Sequence, residues 1–200
     1  MYKKPQYLST SAPKPLSLCG IDEAGRGPLA GPMVFAGVIL TKEIKGLNDS
    51  KQLSEKKRES LFYEILENSH HKIVFSSSQE IDEYGISYCI KNSLRIITES
   101  LDASQYIFDG NSSYGFSMIE HMVKADAKVP SVSAASILAK VSRDRYMCEI
   151  AKLYPQYLFD KHKGYGTQEH TDLMEQYGLS PIHRVSFKLK KKVVDKSLFD

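Results

Sequence analysis

The sequence predicts an α/β protein in which helices flank a central mixed β-sheet. Two apolar strands come first, and strand and helix patterns then alternate along the chain, which is typical of a sheet covered by helices. The chain has 200 residues, of which 42% are hydrophobic, so it is long enough to bury the core of one domain. We expect a flexible leader over residues 1–15, one domain over 16–187 and a basic tail over 188–200.

The first predicted strand contains the apolar residues of 16–21 and runs directly into Asp22 and Glu23. Side chains alternate between the two faces of a strand, so these carboxylates are expected on opposite sides. A glycine-rich turn leads to the second strand, Pro32–Leu40, and the two strands are expected to pair as an antiparallel hairpin. For the two acids the alternative is a solvated pair at a strand end, because acids are mostly exposed.

A helix and a strand are predicted after the hairpin. Ser54 is the expected N-cap of the helix, because serine accepts a hydrogen bond from the first turn. Its apolar face is formed by Leu61, Ile65 and Leu66, and His71–Ser76 is the third predicted strand.

A long helix over Ile81–Leu101 is predicted from apolar residues near a 3.6-residue period, although Gly85 weakens its first turns. A short strand, Tyr106–Phe108, follows it. Met118–Val123 is a further strand candidate, for which a helix is the alternative.

Two helices are predicted in the last third of the chain. The alanine-rich segment Ser133–Tyr154 is the clearest helix of the sequence, and Thr167–Tyr177 forms a shorter helix that ends at Gly178. We expect them to form a C-terminal helical segment within the single domain.

Composition narrows the possible location and metal chemistry. No apolar run reaches the ~18 residues of a membrane span, and three widely spaced cysteines suit the reducing cytoplasm better than a disulfide framework. A cytoplasmic monomer is therefore expected. No spacing of cysteine or histidine resembles a zinc site, so any metal site is expected to consist of carboxylates.

The net charge of +3 is unevenly distributed. Lysines crowd the end of the chain, and Lys161, Lys163 and Arg184 lie upstream of them. This distribution predicts a basic face for a polyanion, with a solvated run of charge as the alternative.

Acids follow more than one of the predicted strands. Asp109 ends the strand Tyr106–Phe108 as Asp22 and Glu23 end the first strand, and Asp126 lies 17 residues further on, before the alanine-rich helix. If the strands are neighbours, the four carboxylates share one site, and at close range they need cations to remain ionised. Mg²⁺ or Mn²⁺ is expected, and two such ions ~4 Å apart can hydrolyse a phosphodiester bond.

The glycine turn Gly25-Arg26-Gly27 lacks the spacing of a dinucleotide-binding loop and is followed by a strand instead of a helix. Its glycines let the backbone approach a ligand closely, here a sugar-phosphate backbone. Serines 131, 133 and 136 are not framed by a nucleophile elbow, so we interpret them as small residues that permit close helix packing.

The chain resembles the ribonuclease HII family through seven motifs that occur in order between residues 20 and 187. They are Gly20–Pro32, Asn48–Ser54, Phe108-Asp109-Gly110, Lys124–Lys128, Ser133–Val141, His162–Thr167 and His183–Phe187.

The resemblance implies a ribonuclease H-like fold and an endonuclease that cuts the RNA strand of RNA/DNA hybrids. It also implies incision at single ribonucleotides in duplex DNA, leaving a 3′-hydroxyl and a 5′-phosphate. Asp22, Glu23, Asp109 and Asp126 would be the catalytic, metal-binding acids. Gly25-Arg26-Gly27 would sense the 2′-hydroxyl that separates RNA from DNA, and Tyr165 would stack on the next sugar.

Basic residues in or beside the matched motifs are candidates for contacts with phosphates, which position a duplex without reading its sequence. They are Lys51, Lys128, Lys140, Arg143, Lys163 and Arg184.

Two other functions compete with this interpretation. A DNA resolvase or integrase of the same fold would share the acids but not the 2′-hydroxyl sensor, and a non-catalytic hybrid-binding module would not need the acids. The last residues, with Ser197, Leu198 and Phe199, loosely resemble a peptide that docks on bacterial sliding clamps, so a clamp is a further candidate partner.

Overall fold

The computed structural model describes residues 17–187 except 49 and 51. The predicted leader and basic tail, Lys51 and the clamp-like residues Ser197–Phe199 lie outside the described residues.

The described part of the chain forms a mixed five-stranded sheet in the order β3-β2-β1-β4-β5. Strands β1 and β2 pair antiparallel as predicted, β3 is antiparallel to β2, and β4 and β5 continue parallel to β1. The strands are β1 (Leu18–Ala24), β2 (Met33–Leu40), β3 (Ser69–Ser76), β4 (Gln105–Asp109) and β5 (Ile119–Met122).

Helices cover both faces of this sheet. The α-helices are α1 (Glu55–Glu67), α2 (Ser78–Tyr84), α3 (Ile86–Ser100), α4 (Pro130–Leu153), α5 (Phe159–His162) and α6 (Gln168–Tyr177). Short 3₁₀ turns lie at Ala125–Ala127 and Pro155–Tyr157.

Most predicted elements are confirmed, and one is corrected. The Ser54 side chain caps α1, and the candidate strand after residue 118 is a strand. The single helix predicted over Ile81–Leu101 is wrong, because Gly85 has φ 82° and ψ 154°. That conformation lies outside the helical region and separates α2 from α3.

The alternation of β2 divides the core between the two faces of the sheet. Met33 and Phe35 pack with α3 on one face, whereas Ala36 and Val38 pack with α1 and α4 on the other. A third apolar cluster around Met147 and Phe159 joins α4 to the C-terminal segment. The predicted fold class, a mixed sheet flanked by helices, is confirmed.

Within the described residues, none of the helices combines the length and hydropathy that a membrane crossing requires.

Candidate active site

Three of the four predicted acids meet at the carboxyl ends of two parallel strands. Ile21 of β1 pairs with Phe108 of β4, so Asp22 and Asp109 are the next residues on adjacent strands. Asp126 reaches the same place from the 3₁₀ turn before α4. One carboxylate oxygen from each acid lies within 4.8 Å of those of the other two.

The Asp109 carboxylate is fixed by backbone donors. Its two oxygens accept hydrogen bonds from the N–H groups of Lys124 and Asp126, at 3.1 and 3.2 Å. Lys124 has φ 59°, in the left-handed region, and this turn aims both N–H groups at Asp109. Asp109 therefore joins β4 to the segment that supplies the third acid.

Close contact between α4 and β1 brings two serines to the acids. A Cβ at residue 20 would lie 2.2 Å from the backbone of Ser131, so only glycine permits this approach. The Ser136 hydroxyl donates to the Asp22 carboxylate, and the Ser133 hydroxyl donates to the backbone carbonyl of Asp126. The small residues of the helix permit the close packing that was predicted from the sequence. The serines among them also supply hydrogen bonds.

Ser136 is itself held by Ser50, whose hydroxyl oxygen lies 2.8 Å away. The two hydroxyls together connect Asp22 to the loop that precedes α1. Neither contact was predicted from the sequence, although both serines lie in motifs that carry the resemblance.

Burial raises the pKa of Asp22 well above its ordinary value, and the nearby charges of Glu23 and Asp109 raise it further. The residue is only 8% exposed. Carboxylates this close repel one another unless protons or cations compensate their charge. An all-oxygen donor set of this kind fits a hard divalent cation.

Glu23 is not among the three acids whose oxygens meet. Its carboxylate lies 4.0 Å from the Arg26 guanidinium, and its side chain is mostly buried. Asp22 and Glu23 are adjacent in a strand and point to opposite sides, as expected. A metal-binding role for Glu23 remains a prediction.

The glycine turn has one closed and one open position. Gly25 has φ 89°, and a Cβ there would lie 2.0 Å from Nε of Arg143. Gly27 is exposed, and a Cβ there would meet nothing within 4 Å. The turn therefore leaves Gly27 accessible to a ligand.

Arg26 lies exposed between these glycines. Its guanidinium donates to the Tyr114 hydroxyl at 3.3 Å. Tyr114 has φ 52° and packs against Phe108 of the core. Tyr114 was not predicted from the sequence, because only the fold brings the loop after Asp109 to the turn.

The predicted phosphate contact of Arg143 is wrong. The residue is 1% exposed, and its guanidinium donates to the backbone carbonyls of Ala30, Pro32 and Lys163 at 3.1, 2.8 and 2.9 Å. The guanidinium is therefore hydrogen-bonded within the protein and is not accessible to a phosphate.

Arg184, which is 2% exposed, is corrected for the same reason. It donates to the carbonyls of Gly25, Arg26 and Gly31, at 2.6, 3.0 and 2.8 Å. Burial and the charge of Arg143 lower its pKa to about 10, so it stays charged at neutral pH. Arg184 therefore binds the turn itself, whereas Arg143 binds the segment that follows it.

Tyr165 is 42% exposed, beside the turn. The backbone N–H of Leu29 donates to the carbonyl of Gly164 at 2.8 Å, which joins the two loops. The Arg143 guanidinium lies 5.5 Å from the Tyr165 ring centre. Exposure of the ring is compatible with the predicted stacking.

The family model described as ribonuclease HII matches residues 19–190. The chain belongs to the ribonuclease HII family. The ribonuclease HII of Aliarcobacter butzleri (strain RM4018) is 58% identical over 190 residues, covering 92% of this chain and 99% of its own. That of Sulfurovum sp. (strain NBC37-1) is 56% identical over 173 residues, covering 86% and 92%.

A similar fold is found in a solved structure, the ribonuclease HII of Archaeoglobus fulgidus in a complex with PCNA. The TM-score is 0.77 at 28% identity, over 90% of this chain and 99% of that one. The protein is thus a nuclease with ribonuclease H activity. The family assignment favours this function over a resolvase and over a non-catalytic binding module.

The candidate lysines lie in different surroundings. Lys128 is exposed after Asp126, Lys140 pairs with Asp144 at 2.7 Å, and the Lys163 ammonium donates to the carbonyl of Asp160. Their contacts with phosphates remain predictions.

Proposed function

We propose that this enzyme cuts the RNA strand of RNA/DNA hybrids and incises 5′ of a single ribonucleotide in duplex DNA. The products would carry a 3′-hydroxyl and a 5′-phosphate. One observation carries the proposal: the open Arg26-Gly27 turn directly follows the strand that supplies Asp22. A sugar held at the turn therefore lies beside the acids.

Asp22, Asp109 and Asp126 would hold divalent metal, with Glu23 as a fourth acid, and Mg²⁺ or Mn²⁺ is the proposed ion. Two bound ions would activate a water molecule and stabilise the leaving oxygen. Support comes from the all-carboxylate donor set and from the raised pKa of Asp22.

The protein's own contribution is preorganisation. Backbone N–H groups hold Asp109, and the Ser136 hydroxyl holds Asp22. These acids are therefore fixed before substrate arrives, which avoids reorganisation during the reaction. The exposed Gly27 backbone and Arg26 would contact the ribose, and Tyr165 would stack on the following sugar.

A pair of matched duplexes tests the proposal. One contains a single ribonucleotide and the other is all DNA, and both are incubated with enzyme and Mg²⁺ or Mn²⁺. We expect one cut, 5′ of the ribonucleotide, and none in the all-DNA duplex. Equal cutting of both would refute the substrate assignment, and unchanged cutting by Asp109→Asn would refute the acid site.

We also propose that the tail binds a bacterial sliding clamp through Ser197, Leu198 and Phe199. The motif-like sequence of the tail supports this, as does the complex of the Archaeoglobus relative with PCNA. Deletion of residues 197–200 should abolish binding to a purified clamp without changing cleavage of a short duplex. Failure of the intact chain to bind would end the idea.

A cytoplasmic monomer is proposed as the working form. Cys19, Cys89 and Cys148 are free, in keeping with a reducing compartment. Light scattering at working concentration tests the monomer.

A further inference from the structure

Three buried histidines lie together in the C-terminal segment, away from the acids. His162 ends α5, His170 lies in α6, and His183 forms a β-bridge with Ala30, between the glycine turn and β2. They are 9%, 0% and 3% exposed. None of them takes part in the metal chemistry proposed above.

Backbone N–H groups determine which ring nitrogen carries each proton. Ser180 N–H donates to Nδ1 of His183 at 2.8 Å, so the His183 proton is on Nε2. That nitrogen lies 3.0 Å from Nε2 of His170, which must accept. The His170 proton is therefore on Nδ1, and it is donated to the carbonyl of Tyr165 at 3.0 Å.

His162 is fixed in the same way and completes the cluster. Gly164 N–H donates to its Nδ1 at 3.2 Å, and its Nε2 donates to the carbonyl of Tyr157 at 2.8 Å. Its ring stacks on that of His170, with centres 4.3 Å apart and planes 17° apart. All three rings can be satisfied as neutral groups.

The surroundings favour neutral rings. Phe159 packs against all three histidines, with its edge toward two of them. Burial is the largest cause that lowers the pKa of each histidine, to about 4 for His170. The charged groups that act on the cluster are Asp160 of α5, Lys163 directly after α5, and Glu169 of α6.

The hydrogen bonds therefore run in one direction, from Ser180 through His183 and His170 to Tyr165. The Tyr165 carbonyl also accepts a hydrogen bond from the N–H of Thr167 at 2.8 Å. The N–H of Tyr165 donates to the carbonyl of His162 at 3.0 Å. The ring of Tyr165, in contrast, is partly exposed. The backbone of Tyr165 is thus held through both its N–H and its carbonyl.

We propose that His170, oriented by His183, is a positioning residue that fixes Tyr165 for stacking on the substrate sugar. The inference rests on the proposed role of Tyr165. His170 touches no reacting atom and acts only through the carbonyl that it binds.

The mutational test uses His170→Leu, His170→Asn, Tyr165→Ala and the double variant Tyr165→Ala/His170→Leu. Leucine removes the donor to Tyr165, whereas an asparagine amide can replace the Nδ1–H group. We expect His170→Leu to raise the KM for the single-ribonucleotide duplex roughly five- to tenfold, the usual worth of one buried hydrogen bond, with a smaller change in kcat. His170→Asn should restore most of the loss, and the exposed His70→Leu is a matched control.

The double variant should be no worse than Tyr165→Ala alone. Independent, multiplying losses would overturn the proposal, because His170 would then act by another route. If Tyr165→Ala alone leaves cleavage unchanged, the role of Tyr165 itself has failed and the functional inference falls with it.

A spectroscopic measurement tests the hydrogen-bond directions without relying on any variant. Nitrogen-15 NMR of the wild-type imidazoles at neutral pH should show the proton on Nδ1 for His170 and on Nε2 for His162 and His183. A proton on Nε2 of His170 would overturn the relay, whatever the kinetics of the Tyr165 variant. If His170→Leu does not fold, His170→Asn and this spectrum decide.

Discussion

The guanidinium of Arg143 occupies the space that a side chain at residue 25 would need. The same group binds the backbone carbonyls of Ala30 and Pro32, in the segment between the turn and β2. The shape of the glycine turn therefore depends on a buried arginine more than 100 residues away in sequence.

Gly25→Ala should affect the stability of the protein, whereas Gly27→Ala should affect its activity. The first places a methyl group against Arg143 at a positive φ, so we expect a loss of about 2 kcal/mol or more in the free energy of unfolding. The second meets open space and should leave the free energy of unfolding unchanged while reducing kcat/KM on the ribonucleotide duplex. Urea unfolding and cleavage assays check both, and a stable, fully active Gly27→Ala enzyme would contradict contact there.

Salt dependence separates the exposed lysine from the buried arginine. Lys128→Ala should lower the slope of log K for duplex binding against log salt by about 1, since one phosphate contact is lost. Arg143→Met should leave that slope unchanged and instead lower stability by about 3 kcal/mol or more, because three buried carbonyls lose their donor. Binding titrations at several salt concentrations provide the measurement. A reduced slope for Arg143→Met would show that Arg143 does contact a phosphate.

Asp109→Asn should change the stability of the metal-free protein by less than about 1 kcal/mol, because the removal of one of three crowded carboxylates is offset by the loss of one of the two backbone N–H hydrogen bonds. It should also abolish stabilisation by Mn²⁺, which for the wild type is about 2.7 kcal/mol at a hundredfold excess over Kd. Thermal unfolding with and without Mn²⁺ measures both effects. An unchanged response of the variant to Mn²⁺ would argue against metal at this site.

Histidine burial predicts a loss of stability in acid. The pKa of His170 is about 4 when folded against 6.5 as the ordinary value, so between these values the unfolded chain binds a proton that the folded chain does not. The free energy of unfolding therefore falls as pH drops from about 6.5 to about 4, by up to about 3 kcal/mol for this residue.

Asp22 contributes with the opposite sign, because its pKa is raised in the folded state. The useful quantity is therefore the difference between wild type and His170→Asn, which has no titrating ring. Chemical unfolding across this pH range should show a smaller acid loss for the variant. Identical pH dependence would mean that His170 is not buried as a neutral group.

Periodicity and alternation were sufficient to predict the sheet and most helices, because apolar patterns report directly on burial. The acids could be predicted because Asp22 and Asp109 each lie at the end of an apolar strand. The roles of Arg143 and Arg184 could not be predicted, because the sequence does not distinguish an arginine that binds a phosphate from one that binds backbone carbonyls. Ser50, Ser136 and Tyr114 were missed because their partners lie far away in sequence.

The close packing of the glycine turn against the C-terminal segment has a consequence for chain synthesis. The acids are all present once residue 126 has emerged, but the turn is bound by groups from Arg143, Gly164 and Arg184. A nascent chain therefore contains its three clustered acids well before the groups that hold the turn to which we assign the recognition of ribose. If that assignment is correct, the selectivity of the enzyme is acquired after its acids are in place.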